Sequence, residues 1–92
     1  MLIDNESGVF QSRRMDWNGG PGLFHVTSTL NNQVVALERL GGNDATWVPV
    51  GDLGVLTGNG IVNFDLDKCI LRLDQASGTN VFGDITTRRF SP

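Results

Sequence analysis

Gly22-Leu23-Phe24-His25-Val26-Thr27-Ser28-Thr29-Leu30-Asn31-Asn32-Gln33-Val34-Val35-Ala36-Leu37-Glu38-Arg39-Leu40-Gly41 opens the stretch, Gly22 to Ile85, whose reading decides the fold. Within it apolar residues alternate with polar ones: Phe24/Val26, Val35/Leu37, Val62/Phe64/Leu66 and Cys69/Leu71/Leu73. Clusters of Gly, Asn, Asp and Ser separate these runs about every eight to twelve residues, the pattern of short antiparallel strands that each bury one face.

Working outward, strands are expected over 23–30, 33–40, 46–50, 55–57, 61–66, 69–74 and 81–87. Asn31-Asn32 predicts a hairpin between the first two, because Asn tolerates positive φ. Pro49 lacks a ladder donor, so its strand is expected to lie at an edge or to end near Pro49. The sum is an all-β fold, a single two-layer antiparallel β-sandwich of about seven to eight short strands, jelly-roll or immunoglobulin-like, with Phe24, Trp47 and Phe64 pointing inward. Residues 22–92 form this domain. Residues 1–21 have no sustained period, leave room for only one short strand over 8–13, and end in Asn18-Gly19-Gly20-Pro21-Gly22, so they are expected to be an N-terminal arm joined by a turn.

Composition narrows the function. A formal charge of -3 with only seven Lys and Arg, four of them in the separate pairs Arg13/Arg14 and Arg88/Arg89 near the two ends, gives no phosphate-tracking stripe and argues against nucleic acid. No apolar run is long enough to cross a bilayer as a helix. The single Cys69 sits in an alternating run and reads as a small buried hydrophobe in a chain made in a reducing cytoplasm.

Groups for chemistry are sparse. His25 is the only imidazole and falls mid-strand opposite Phe24 and Val26, on a sheet surface rather than beside a nucleophile. Asp65 and Asp67, with Asp74 and Asp84, supply hard oxygen ligands, but their spacing matches no calcium loop and turns favour Asp anyway. The glycine loops at 19–22 and 58–60 precede strands, so no helix N-terminus waits behind them for a phosphate. No catalytic residue, cofactor or metal is therefore expected. More telling is the apolar set that alternation sends outward or leaves in the terminal segments, Phe10, Trp17, Val34, Ile70, Phe82 and Phe90. Aromatics there suit docking on a larger partner, and Phe10, Arg13, Arg14, Met15, Trp17, Phe82 and Phe90 are the expected partner-binding residues.

Gly22-Leu23-Phe24-His25-Val26, Val34-Val35-Ala36-Leu37-Glu38-Arg39-Leu40-Gly41, Thr46-Trp47-Val48-Pro49-Val50, Leu56-Thr57-Gly58-Asn59-Gly60, Val62-Asn63-Phe64-Asp65-Leu66 and Ile70-Leu71-Arg72-Leu73 together resemble small β-sandwich proteins found among the virion genes of tailed bacteriophages. The resemblance runs from about Gly22 to Arg89. Its landmarks are a tryptophan before a valine-rich strand, a Leu-Thr turn with glycines, and an alternating strand leading to an arginine. Where such proteins often approach the penultimate strand through Pro-x-Gly, this chain has Asp67-Lys68-Cys69.

The resemblance implies a non-enzymatic structural protein of a phage particle, synthesised in the host cytoplasm and placed in the virion. It would be a capsid decoration or cement protein, or a head-fibre or tail accessory subunit. Its partners would be major capsid or tail subunits and further copies of itself in a homo-oligomer. The arm would bind neighbours, and a chain starting at Gly22 would fold yet fail to bind particles. The competing expectation is a carbohydrate-binding or host-recognition module of a tail or head fibre.

Overall fold

Alternation along the strands is realised as two facing layers: Phe24 and Val26 from one sheet meet Val35, Leu37, Leu71 and Leu73 from the other, all fully buried. The computed structural model describes residues 1–43, 45–51 and 54–87. Its strands are β1 (Ile3–Glu6), β2 (Phe10–Gln11), β3 (Met15–Trp17), β4 (Gly20–Thr27), β5 (Val34–Leu40), β6 (Trp47–Pro49), β7 (Val55–Thr57), β8 (Gly60–Leu66), β9 (Cys69–Ser77) and β10 (Val81–Thr87). Arg88, Arg89 and Phe90, named from the sequence above, lie outside the described residues.

All pairing is antiparallel. One sheet has the order β1-β10-β4-β8; the other has β2-β9-β5-β6, with β3 also on β9 and β7 also on β5. β2 and β3 run along one edge of β9, and β6 and β7 along one edge of β5. Counted as one interrupted strand each, they leave eight positions in the orders 1-8-3-6 and 2-7-4-5. This is a jelly roll, which decides between the two sandwiches expected.

That topology corrects two expectations. β4 and β5 form no hairpin: β4 lies between β10 and β8, and β5 lies in the opposite sheet. Asn31 does take positive φ (53°). The chain, however, uses residues 28–33 to cross between layers, which sets Phe24/Val26 against Val35/Leu37 across the core instead of side by side. Among the described residues, β5 and β6 are the only consecutive strands that pair.

The larger correction concerns residues 1–21, which are not an arm. β1 pairs with β10 in one sheet, β2 and β3 pair with β9 in the other, and the glycine-proline segment is the start of β4. Leu2, Ile3 and Trp17 belong to the core, with Phe10 and Met15 packed against it. Closing the jelly roll requires these strands, so the segment buries most of its apolar residues at home and leaves Met1 and Val9 exposed. Polar links fasten it further. The buried Gln75 Nε2 donates to the Glu6 and Gly8 carbonyls (3.2 and 3.0 Å), and Gly8 N donates to the Gly78 carbonyl (2.9 Å). At the gap between β2 and β3, Ser12 keeps the ladder whole by donating its N–H to the Leu73 carbonyl (2.8 Å) and accepting the Leu73 N–H on its Oγ (2.8 Å).

The same end of the sandwich is laced by loop side chains. Asn59 Oδ1 accepts from Ser28 N (2.7 Å) and from the buried Gln33 Nε2 (2.8 Å), and Asn59 N donates to Asn31 Oδ1 (2.6 Å). Such bonds join loops far apart in sequence and make the body rigid.

Candidate functional site

Trp47 does not point inward. It pairs with Leu40, which shares its face with Glu38 and is opposite in parity to the core residue Leu37, so the indole lies on the outer face of the second sheet. Arg72 is on that same outer face of β9, between the inward Leu71 and Leu73. Its guanidinium carbon stands 4.4 Å from the Trp47 ring centre, and its Nε donates to Glu38 Oε1 at 2.9 Å. Arg14 approaches the ring from the β2–β3 gap, 5.6 Å from the centroid. An indole, two guanidinium groups and a largely buried carboxylate thus form one half-exposed cluster in which cation–π attraction and an ion pair hold Trp47 and Arg72 in place.

The residues expected to bind a partner are dispersed. Arg14 belongs to the Trp47 cluster. Arg13 is exposed beside it, with Nη1 donating to the Met1 carbonyl (3.4 Å). Phe10 and Met15 are half-buried against the core. Trp17 is 4% exposed and unavailable to a partner. Its ring lies 5.1 Å from that of Phe64 and covers Gly22, where a Cβ would stand only 2.5 Å from the indole. Glycine at 22 therefore makes the socket into which Trp17 fits. Phe82 is exposed on the outer face of the other sheet, and Phe90 lies outside the described residues.

Sequence reasoning missed Trp47, Arg72 and Glu38 as surface groups. A signal was present: Glu38 follows the inward Leu37, and Arg72 separates Leu71 from Leu73, so both charges had to point outward from neighbouring strands. The register places them opposite each other.

Two other surfaces stand out. Between β8 and the β6–β7 edge the sandwich gapes, leaving a groove of about 290 Å³ lined chiefly by Leu37, Val50, Val62, Phe64 and Leu66. On the outer face of the first sheet, Phe82 sits in a shallow depression of about 470 Å³ bordered by Asn5, Thr27, Thr29 and Asn80.

Titratable groups are spread apart. His25 is half-buried on the outer face of the first sheet, in register with Asp84 and Ile61, while Cys69 belongs to the second sheet. Burial pushes the Cys69 thiol above its ordinary value, against the opposing pull of Arg39. Among the described residues no three His, Cys, Asp or Glu side chains gather as a metal would require. Compared with known proteins, the chain matches no family model, no curated protein and no solved structure. Its class is accordingly defined by the fold alone: a small jelly-roll domain with an aromatic and cationic cluster on one outer face.

Proposed function

We propose that this chain is a non-enzymatic structural protein of a phage particle, of the capsid decoration or cement type, that docks on virion subunits through the outer face around Trp47. The observation that carries the reading is the Trp47–Arg72–Glu38 arrangement. Tryptophan and arginine are the residues most enriched at binding hot spots, and here both are held in place before any partner arrives. The resemblance of the strand sequences to virion proteins points the same way, and the jelly roll is an architecture that capsid domains use. Docking passes from the N-terminal segment, which the core consumes, to a face that the core does not need.

The test is to purify particles of the phage encoding the chain, detect the chain by mass spectrometry, and add wild type or Trp47→Ser protein back to particles stripped of it. Wild type should rebind, and Trp47→Ser should lose at least about thirtyfold in affinity, the hot-spot range. Absence of the chain from particles, or equal binding by the variant, refutes the reading.

One observation favours glycan recognition as a second reading. The Phe82 ring offers an apolar face to a sugar, and the amides of Asn5 and Asn80 with the hydroxyls of Thr27 and Thr29 surround it. Binding on a glycan array that Phe82→Ala abolishes would establish this reading in place of the first.

A further inference from the structure

A sheet edge invites another strand unless something blocks it. Among the described residues three of the four edges are blocked. β1 has four residues, with Asn5 at φ 59° and a register shift between Asp4 and Glu6. The β2–β3 edge is interrupted after Ser12, with Arg13 and Arg14 exposed in the gap. The β6–β7 edge carries Pro49 and is broken after it.

β8 has no such protection. Its seven residues, Gly60-Ile61-Val62-Asn63-Phe64-Asp65-Leu66, pair with β4 in unbroken register and include no proline, lysine or arginine. It also forms one lip of the apolar groove, so Val62, Phe64 and Leu66 remain half-exposed.

The direction of its free backbone groups follows from β4. The His25 carbonyl oxygen lies 3.4 Å from where a Cβ on Gly83 of β10 would stand, so odd residues of β4 turn toward β10 and even ones toward β8. Even residues of β4 pair with even residues of β8, as in Gly22↔Phe64 and Phe24↔Val62. Ile61, Asn63 and Asp65 therefore present their N–H and C=O groups to the open edge.

We propose that two copies of the chain pair through β8, antiparallel about a two-fold axis at Asn63, joining their four-stranded sheets into one continuous sheet. This register sets Ile61 opposite Asp65 of the second copy, Asn63 opposite Asn63, and Asp65 opposite Ile61. All the outward-pointing backbone groups of the three residues then find partners. Val62 and Phe64 of each copy face each other at the seam, and the two apolar grooves close against one another. The two Asp65 carboxylates stay four residues apart along the strand, about 13 Å, beyond the screening length of about 8–10 Å. A second copy thus satisfies the backbone, covers the apolar lip and avoids like-charge contact. The pairing holds whatever surface the joined bodies later dock on.

Sedimentation velocity of the full chain over a dilution series tests it. Wild type should sediment as a dimer that dissociates on dilution. Asn63→Pro removes a donor that faces the open edge and none that bonds β4, so it should sediment as a monomer with an unchanged circular dichroism spectrum. Should that variant fail to fold, Ile61 gives an independent test, since its side chain is 69% exposed. Ile61→Lys places a cation opposite Asp65 twice per dimer and should tighten association; Ile61→Asp should weaken it. Each change should be about 2- to 30-fold. A wild type that stays monomeric throughout, a dimer that survives Asn63→Pro in folded protein, or a shift of both Ile61 variants in the same direction overturns the proposal.

Discussion

Trp17 and Trp47 lie on opposite edges and opposite faces of the same sheet, the first on β3 beside β9, the second on β6 beside β5. One is sealed over Gly22 and against Phe64; the other rests on an arginine facing solvent. The difference teaches that an indole goes where the facing strand leaves room. Gly22 provides that room for Trp17, and Phe64 gives it an aromatic wall. Trp47 faces away from the core layer, so Arg72 and Arg14 become its neighbours. One tryptophan therefore serves stability, and the other is left free for the docking proposed above.

The comparison breaks most readily at Trp17. A chain starting at Gly22 loses β1, β2 and β3 together with Leu2, Ile3 and Trp17, and should show neither a cooperative melt nor dispersed amide resonances. In the full chain, Trp17→Ala should cost about 3–5 kcal/mol, the range for an aromatic removed from a core. For a domain of this size that lowers the melting temperature by more than about 12 °C. Trp17→Phe should cost clearly less, because the indole Nε1 has no acceptor among the described residues and only packing is lost. Trp47→Ala, by contrast, gives up cation–π contacts of about 0.5–1 kcal/mol and should move the midpoint by only a few degrees. Calorimetry of the three variants decides. Equal losses at the two positions would refute the division of roles.

Much of the fold was legible because period-two alternation reports directly on one-sided burial. β5, β7, β8 and β10 fall within a residue of the expected strands, and the inward sets Phe24/Val26, Val35/Leu37 and Leu71/Leu73 all lie in the observed core. Connectivity was far less legible. An Asn-Asn pair between two strands fits a hairpin as well as a crossing between sheets, and only the eight-strand closure separates the two. Of the N-terminal strands only β2 fell within an expected stretch, for a related reason. β2 and β3 have two and three residues, too short to display a period, and they are held by β9, some sixty residues away in sequence. At the outer face, the Glu38–Arg72 pair needed the register of β5 against β9, which local sequence does not contain.

Cys69 offers the finest probe of the same contrast, because it pairs with Trp17 and lies in the other half of the sheet from Trp47. Burial raises its pKa, so the folded chain holds less thiolate at neutral pH than an unfolded one, and the thiolate is the species that alkylates. Iodoacetamide should therefore label the native protein more slowly than the denatured chain, with a rate that climbs as the solution is made alkaline. A folded pKa above the unfolded one leaves the neutral-thiol contribution to stability intact below the unfolded value and removes it as pH rises through the folded value. A small alkaline decline in melting temperature should thus disappear in Cys69→Ser. Opening the core beside it with Trp17→Phe should speed labelling at neutral pH, whereas Trp47→Ala should leave the rate unchanged. Labelling accelerated by Trp47→Ala instead would mean that the outer cluster, and not the socket over Gly22, shields this end of the sheet.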